Sequence, residues 1–315
     1  MLTYWIFLDN FLNKLVSISL MKIISLSPVT TEILFALGLD EEIIGVTRHC
    51  DFPNKARSKP KFGMYPEIDI DDIKKQMPSH VFVFGHEQEK YVEKLSKFTK
   101  TYHYNPTTLE EVYDGMNEIA EFVGIDNSDL VARMQEDIAA IALKLPKIKL
   151  TVYVEEWHKP PTAAGLWVGD IISFTGATPF IESGKKSKKT TLKQIETFSP
   201  NHIIIAWHFL GSNVTLSEIQ DREDWEKILG GAKVDVIDDA FLNRPGPRLV
   251  EGFKELVRII HKKKDGFDTA MGILDEYYND TPPIDMTKEF ICDCVGDQPE
   301  TKGVKKWNPP KINMK

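Results

Sequence analysis

Short apolar runs alternate with segments of helical periodicity along this chain, and the series occurs twice. In the first series Lys22–Leu26, Ile43–Val46, His80–Phe84 and Thr101–Tyr104 read as strands. Helices fall between them, from Ser27 to Leu37 with Gly38 as its stop, and from Asp69 to Gln76. The loop Thr47–Pro53 and a polar turn carrying Gly63, Tyr65 and Pro66 complete this half, and Thr108–Val123 reads as a further helix. The segment Asn127–Leu145 then places Leu130, Val131, Met134, Ile138, Ile141 and Leu145 at helical spacing. After it the series restarts. Leu150–Val154, His202–Ala206 and Val234–Ile237 read as strands, with a loop over Glu155–Gly165 and helices through Ile171–Ile172, over Thr191–Phe198 and over Arg248–His261. Strands joined through helices by short connections build parallel sheets. The expected fold class is therefore α/β, with two α/β lobes containing parallel sheets, bridged by a single long α-helix. The boundaries fall at 1–21 for an N-terminal extension, 22–125 for the N-terminal lobe and 126–146 for the bridging helix. The C-terminal lobe covers 147–264 and a C-terminal extension 265–315, with a docking helix around Ala270 to Tyr278 in a polar tail.

In open parallel sheets ligands bind beyond the carboxyl ends of the strands, and in two-lobed proteins they bind between the lobes. The residues at those ends are chemically unusual here. His49, Cys50 and Asp51 follow one strand; His86 and Glu87, Trp157 and His158, Trp207 and His208, and Phe241 and Arg244 follow others. Tyr65 and Trp167 lie in neighbouring loops, and Thr162 follows Pro160-Pro161. Four of eight histidines and three of six tryptophans fall in this small part of the chain. Together they predict an aromatic-walled cleft for a large flat ligand, with His49, Tyr65, His86, Trp157, Thr162, Trp167, Trp207, His208, Phe241 and Arg244 as candidate contacts. Prolines around Phe241 and Arg244 stiffen their loop, which lowers the ordering cost of binding. Each histidine is either a polar rim residue or a ligand to a metal carried by the bound molecule, and His49 is the candidate for such coordination.

Composition excludes several classes. A net charge of -8 lacks the basic face of a nucleic-acid binder. Cys50, Cys292 and Cys294 give no disulfide framework, and two cysteines in the tail are too few for a closed zinc site. No nucleophile elbow, phosphate loop or zincin sequence is present, so an enzyme is not expected. Glu155-Glu156 would face opposite sides of a strand, giving one buried partner and one solvated charge. Asp9, Asn10, Asn13 and Lys14 interrupt the apolar residues of Met1–Leu20, so no export signal is recognisable. The expected location is cytoplasmic or peripherally anchored, unless translation starts at Met21.

Four segments resemble the class III periplasmic substrate-binding proteins, specifically their cobalamin-binding branch: Ile24–Gly38, Gly45–Pro53, Glu155–Gly165 and Phe241–Leu249. The first is shared with siderophore and haem binders and speaks to the fold; the other three point to the cobalamin branch. The resemblance covers about Met21 to His261. It implies a monomeric binding protein with no cofactor of its own, holding cobalamin or a related corrinoid between the lobes for an ABC importer. A ferric-siderophore or haem receptor of the same fold is the alternative, and a cytosolic corrinoid-processing or interaction protein a third reading. It implies contact roles for His49, Thr162, Phe241 and Arg244. It also places a permease-docking acid at Asp71, whereas the matching position in the other lobe is Lys193, within a run containing Lys185, Lys186, Lys188 and Lys189. Reversed charge there would oppose docking on a permease arginine.

Overall fold

The computed structural model describes residues 21–261 apart from 127 and 223, and leaves the side chains of 128 and 216 undescribed. The expected helix at Ala270–Tyr278, the segment Met1–Leu20 and Cys292 and Cys294 lie outside the described residues. In chain order the first half forms β1 (Ile23–Ser25), α1 (Pro28–Ala36), β2 (Ile43–Val46), α2 (Asn54–Ser58), β3 (Gly63–Met64), β4 (Glu67–Ile68), α3 (Ile70–Lys75), β5 (His80–Phe84), α4 (Gly85–Leu95), β6 (Lys100–Tyr104) and α5 (Leu109–Val123). Next comes α6 (Ser128–Ala142). The second half forms β7 (Thr151–His158), β8 (Pro161–Ala163), α7 (Val168–Phe174), β9 (Thr178–Pro179), β10 (Lys188–Lys189) and α8 (Leu192–Phe198). It closes with β11 (His202–Ile205), α9 (Leu216–Gln220), α10 (Glu226–Gly231), β12 (Lys233–Val236), α11 (Asp239–Leu242) and α12 (Leu249–His261).

Local chemistry accounts for several boundaries. Ser27 caps α1 by accepting from the Thr30 amide, and Pro28 opens the helix, where its missing N–H costs nothing. Thr108 caps α5, and Gly124 ends it at φ 75°, a left-handed conformation that glycine tolerates. The first sheet runs β2-β1-β5-β6 with every pairing parallel. In the second, β7, β11 and β12 are parallel, while β8 and β10 extend the sheet antiparallel beyond β7. Strands buried on both faces, such as Ile23–Ser25 and His202–Ile205, fit sheets covered by helices on each side.

One apolar core runs through both halves. It joins Ile23 and Phe82 of the first sheet to Val152, Val154 and Ile204 of the second through side chains of α5, α6, α7 and α12. Separate clusters cover the opposite faces, Ile24, Val81, Val83 and Phe62 on the first sheet and Tyr153, Ile203, Ile205 and Trp225 on the second. Further bonds tie the halves. The Tyr104 hydroxyl donates to the Pro245 carbonyl at 3.0 Å, and the Leu109 amide donates to Asp170 Oδ2 at 2.9 Å. Shared core and paired polar groups oppose a wide hinge.

Three segments differ from the sequence-based expectation. The segment after β5 is not a loop, because β5 leads straight into α4 at Gly85, whose φ of 72° makes the turn. The stretch expected as a loop over Glu155–Gly165 begins as a β7–β8 hairpin, since Trp157 pairs with Thr162 and His158 with Pro161. The bridging helix ends at Ala142, ahead of Pro146, which cannot continue a helix.

Candidate functional site

The carboxyl ends of the two sheets meet, and charge holds them together. Glu32 on α1, 1% exposed, receives Arg244 at 2.8 Å and the Arg248 guanidinium in a two-pronged pair at 2.8 and 2.6 Å. Arg244 also donates to both carboxylate oxygens of Asp51, at 2.6 and 3.3 Å. Two guanidiniums therefore match two carboxylates across the lobe junction, in the fork geometry that favours arginine. The Arg248 guanidinium also lies over the rings of Phe52 at 4.2 Å and Phe241 at 5.5 Å. Arg244, a candidate contact, is held here as a buried strut, and its charge adds to burial in lowering the basicity of His49.

Beside this strut the lobes touch ring to ring. His49, in the loop after β2, packs on Phe209, in the loop after β11, at 4.4 Å between centroids. Burial and the Arg244 charge hold the His49 imidazole below its ordinary pKa, so it is neutral. Its Nδ1 is buried without a partner among the described residues. The ring thus presents its face toward Phe209. Phe209 itself is 52% exposed, at φ 68°, and its amide is held by Asp239 Oδ2 at 3.0 Å. Cys50 is not a cleft group: it is buried between the hydroxyls of Thr31 and Thr47, each 3.2 Å from Sγ, and burial pushes its thiol up.

A second group of residues stands on this junction. Tyr65 donates to Glu87 Oε2 at 3.3 Å, and burial with the Glu87 charge pushes its phenol up. Glu156 on β7 accepts from Ser187 Oγ at 2.9 Å and lies 4.0 Å from His208 Nε2. Burial first, and the charge of Glu87 as well, raise the Glu156 carboxyl to about 7. It is not the solvated charge that strand alternation suggested, because the Ser187 segment covers it. Burial lowers the His208 imidazole, which keeps it neutral. Its Nδ1 is 3.4 Å from Asn243 Nδ2, which donates to the Ala206 carbonyl at 2.7 Å. Among the described residues, no group of three or more His, Cys, Asp or Glu side chains could hold a metal ion.

The remaining candidates divide by the helices that cover them. Trp167 is 5% exposed in the shared core and donates to the Leu242 carbonyl at 2.8 Å, so it is core rather than wall. Trp207 is likewise buried, at 3%, with Nε1 donating to Glu155 Oε1 at 2.9 Å. His86 is on the first turn of α4, exposed, and bonds to Glu89 at 2.9 Å; its neighbour Glu87 is the residue that meets Tyr65. Trp157 is exposed with Nε1 donating to the Lys159 carbonyl, and Thr162 donates to the Pro160 carbonyl at 3.0 Å. Phe241 is half-buried against the core. Phe209, Glu87 and Glu156 are the junction residues absent from the expected contact set. The first stands next to His208 in a strand-end loop, a signal that was available in the sequence. Asp71 and Lys193 are both exposed, in the first turns of α3 and α8.

A family model described as periplasmic binding protein matches residues 23–240. The chain belongs to that family. It is 29% identical over 267 residues to a vitamin B12-binding protein of Photorhabdus laumondii, across 81% of this chain and 93% of that protein. The fold matches the periplasmic vitamin B12 binding protein of Vibrio cholerae with a TM-score of 0.61 at 20% identity, over 78% of this chain and 98% of that one. The periplasmic heme binding protein of Vibrio cholerae matches with a TM-score of 0.63 at 17% identity, over 76% and 99%. This periplasmic binding protein therefore shares its two-lobed α/β architecture with receptors for two different macrocycles.

Proposed function

We propose that this protein binds cobalamin or a related corrinoid between its lobes, as the substrate-binding component of an ABC importer. The observation that carries the reading is the ring-to-ring meeting of His49 and Phe209 from opposite lobes, at the carboxyl ends of both parallel sheets. The names of curated relatives select the corrinoid class. His49 and Tyr65 supply contacts from one lobe, and Phe209, His208 and the edge of Phe241 from the other. His49 serves as a wall, since its ring packs on Phe209 and its Nδ1 is buried. Asp71 and Lys193 belong to the surface that would meet a permease. The protein acts by binding rather than by catalysis.

Titration with aquocobalamin, followed by absorbance, calorimetry and melting, tests the reading. One site per chain is expected, and at ligand a hundredfold above Kd linkage adds about 2.7 kcal/mol to stability. A melting shift with haem or a ferric siderophore and none with cobalamin would move the assignment to the other macrocycle class.

A further inference from the structure

The junction carries unmatched negative charge. Arg244 and Arg248 are consumed by Glu32 and Asp51. Glu87 and Glu156 remain, one from each lobe: Glu87, exposed, accepts from Tyr65, and Glu156 lies 4.0 Å from His208, next to the Phe209 on which His49 packs. Among the described residues neither has a lysine or arginine at ion-pair distance; their polar neighbours are Tyr65, Ser187 and the neutral His208. An independent feature points the same way. Asn243 is 9% exposed, its amide nitrogen is used by the Ala206 carbonyl, and its Oδ1 is buried beside His208 with no donor. With the Tyr65 and Ser187 hydroxyls already engaged by the two carboxylates, the hydrogen-bonding capacity left at this edge is chiefly that of acceptors.

We propose that Glu87 and Glu156, backed by Asn243, make this cleft select macrocycles whose rim carries hydrogen-bond donors and reject those whose rim carries carboxylates. Resting on the corrinoid reading, the proposal assigns the site to amidated corrinoids, whose side-chain amides offer N–H groups, over corrinoid acids and over haem with its propionates. A carboxylate brought to this edge would be desolvated against like charge, whereas an amide finds the acceptors it needs.

The test compares ligands that share one ring and differ chiefly in rim charge. Calorimetry is run at mildly alkaline pH with dicyanocobinamide and with dicyanocobyrinic acid, its carboxylic counterpart, and in parallel with haem and its bis-amide. The amide form is expected to bind more tightly than the acid by at least about tenfold. Glu87→Gln combined with Glu156→Gln should bring that ratio toward one, with melting curves showing that the variant is folded. Equal affinity of acid and amide in the unaltered protein, or a ratio the double variant leaves unchanged, overturns the proposal. If neither corrinoid binds but the haem bis-amide is preferred over haem, the charge rule stands and the corrinoid reading falls. If haem binds as tightly as its bis-amide, the charge rule falls.

Discussion

Two aromatic and charged clusters stand at strand ends of the second sheet, and they have opposite fates. At the lobe junction, Phe209 is exposed, His49 packs against it, and among the described residues Glu156 is partnered by Ser187 and a neutral imidazole. On the far face, Glu155 is fully buried and accepts from Arg222 at 2.5 Å, Trp207 at 2.9 Å and Tyr153 at 3.0 Å. Arg222 also lies over the Trp225 ring at 3.4 Å, and His158 packs on Trp207 at 4.8 Å. Adjacent residues of one strand, Glu155 and Glu156, thus serve a closed structural network and an open edge. What separates them is cover: Trp225 and α10 lie on one face, while the other face meets a second lobe. A rich strand end is a binding edge only where no helix closes it.

Breaking the closed network should have the largest effect. Arg222→Ala leaves Glu155 as a buried charge with no ionic partner, and loss of a buried ion partner costs roughly 3–5 kcal/mol. Chemical unfolding should show that loss, while protein that remains folded binds its ligand with unchanged affinity. A fall in affinity without a fall in stability would move this cluster into the binding site.

The open edge predicts the reverse pattern for Glu156. Its carboxyl is raised to about 7 by burial and by Glu87. The folded state therefore binds the proton more tightly than the unfolded chain, and the associated stability is lost as pH rises through the window from the ordinary carboxylate range to about 7. Glu156→Gln abolishes this dependence. The variant is expected to be more stable than the parent by up to about 3 kcal/mol above neutrality, with the difference vanishing in acid. Melting temperatures across that pH range provide the check, and a difference independent of pH would contradict the open-edge picture.

Phe209→Ala should weaken cobalamin binding by about 1–2 kcal/mol, the scale of losing an apolar contact, with little change in melting because the ring is already exposed. Calorimetry that found affinity intact would exclude Phe209 from the contact surface. His86→Ala should do least. Its ring bonds only to Glu89 on its own helix, so stability should move within about 0.5 kcal/mol and affinity not at all.

The parallel strands β1, β2, β5, β6, β7, β11 and β12 and the helical bridge were legible in the chain because each rests on local periodicity, whereas the antiparallel β8 and β10 were not. The helix expected over Thr108–Val123 is α5, which Thr108 caps and Gly124 ends. The site was legible only as a set of strand-end loops. His49 and His208 come to the junction as that logic suggests, yet Trp167 and Trp207, drawn from the same loops, go into the core. Nothing within a few residues of either tryptophan distinguishes these outcomes. The helices and loops that cover them do.

The sequence by itself determined the two α/β halves, their sheets and the amphipathic helix between them, since residues two, three or four apart decide which face of an element is apolar. The tertiary structure alone decided which charges are free to meet a ligand. Arg244 pairs with Glu32 across 212 positions and Arg248 with the same residue across 216, so two guanidiniums become struts. Glu87 and Glu156 are left without a lysine or arginine partner among the described residues, because charge balance depends on which groups the fold brings within a few ångströms, and local spacing does not encode that.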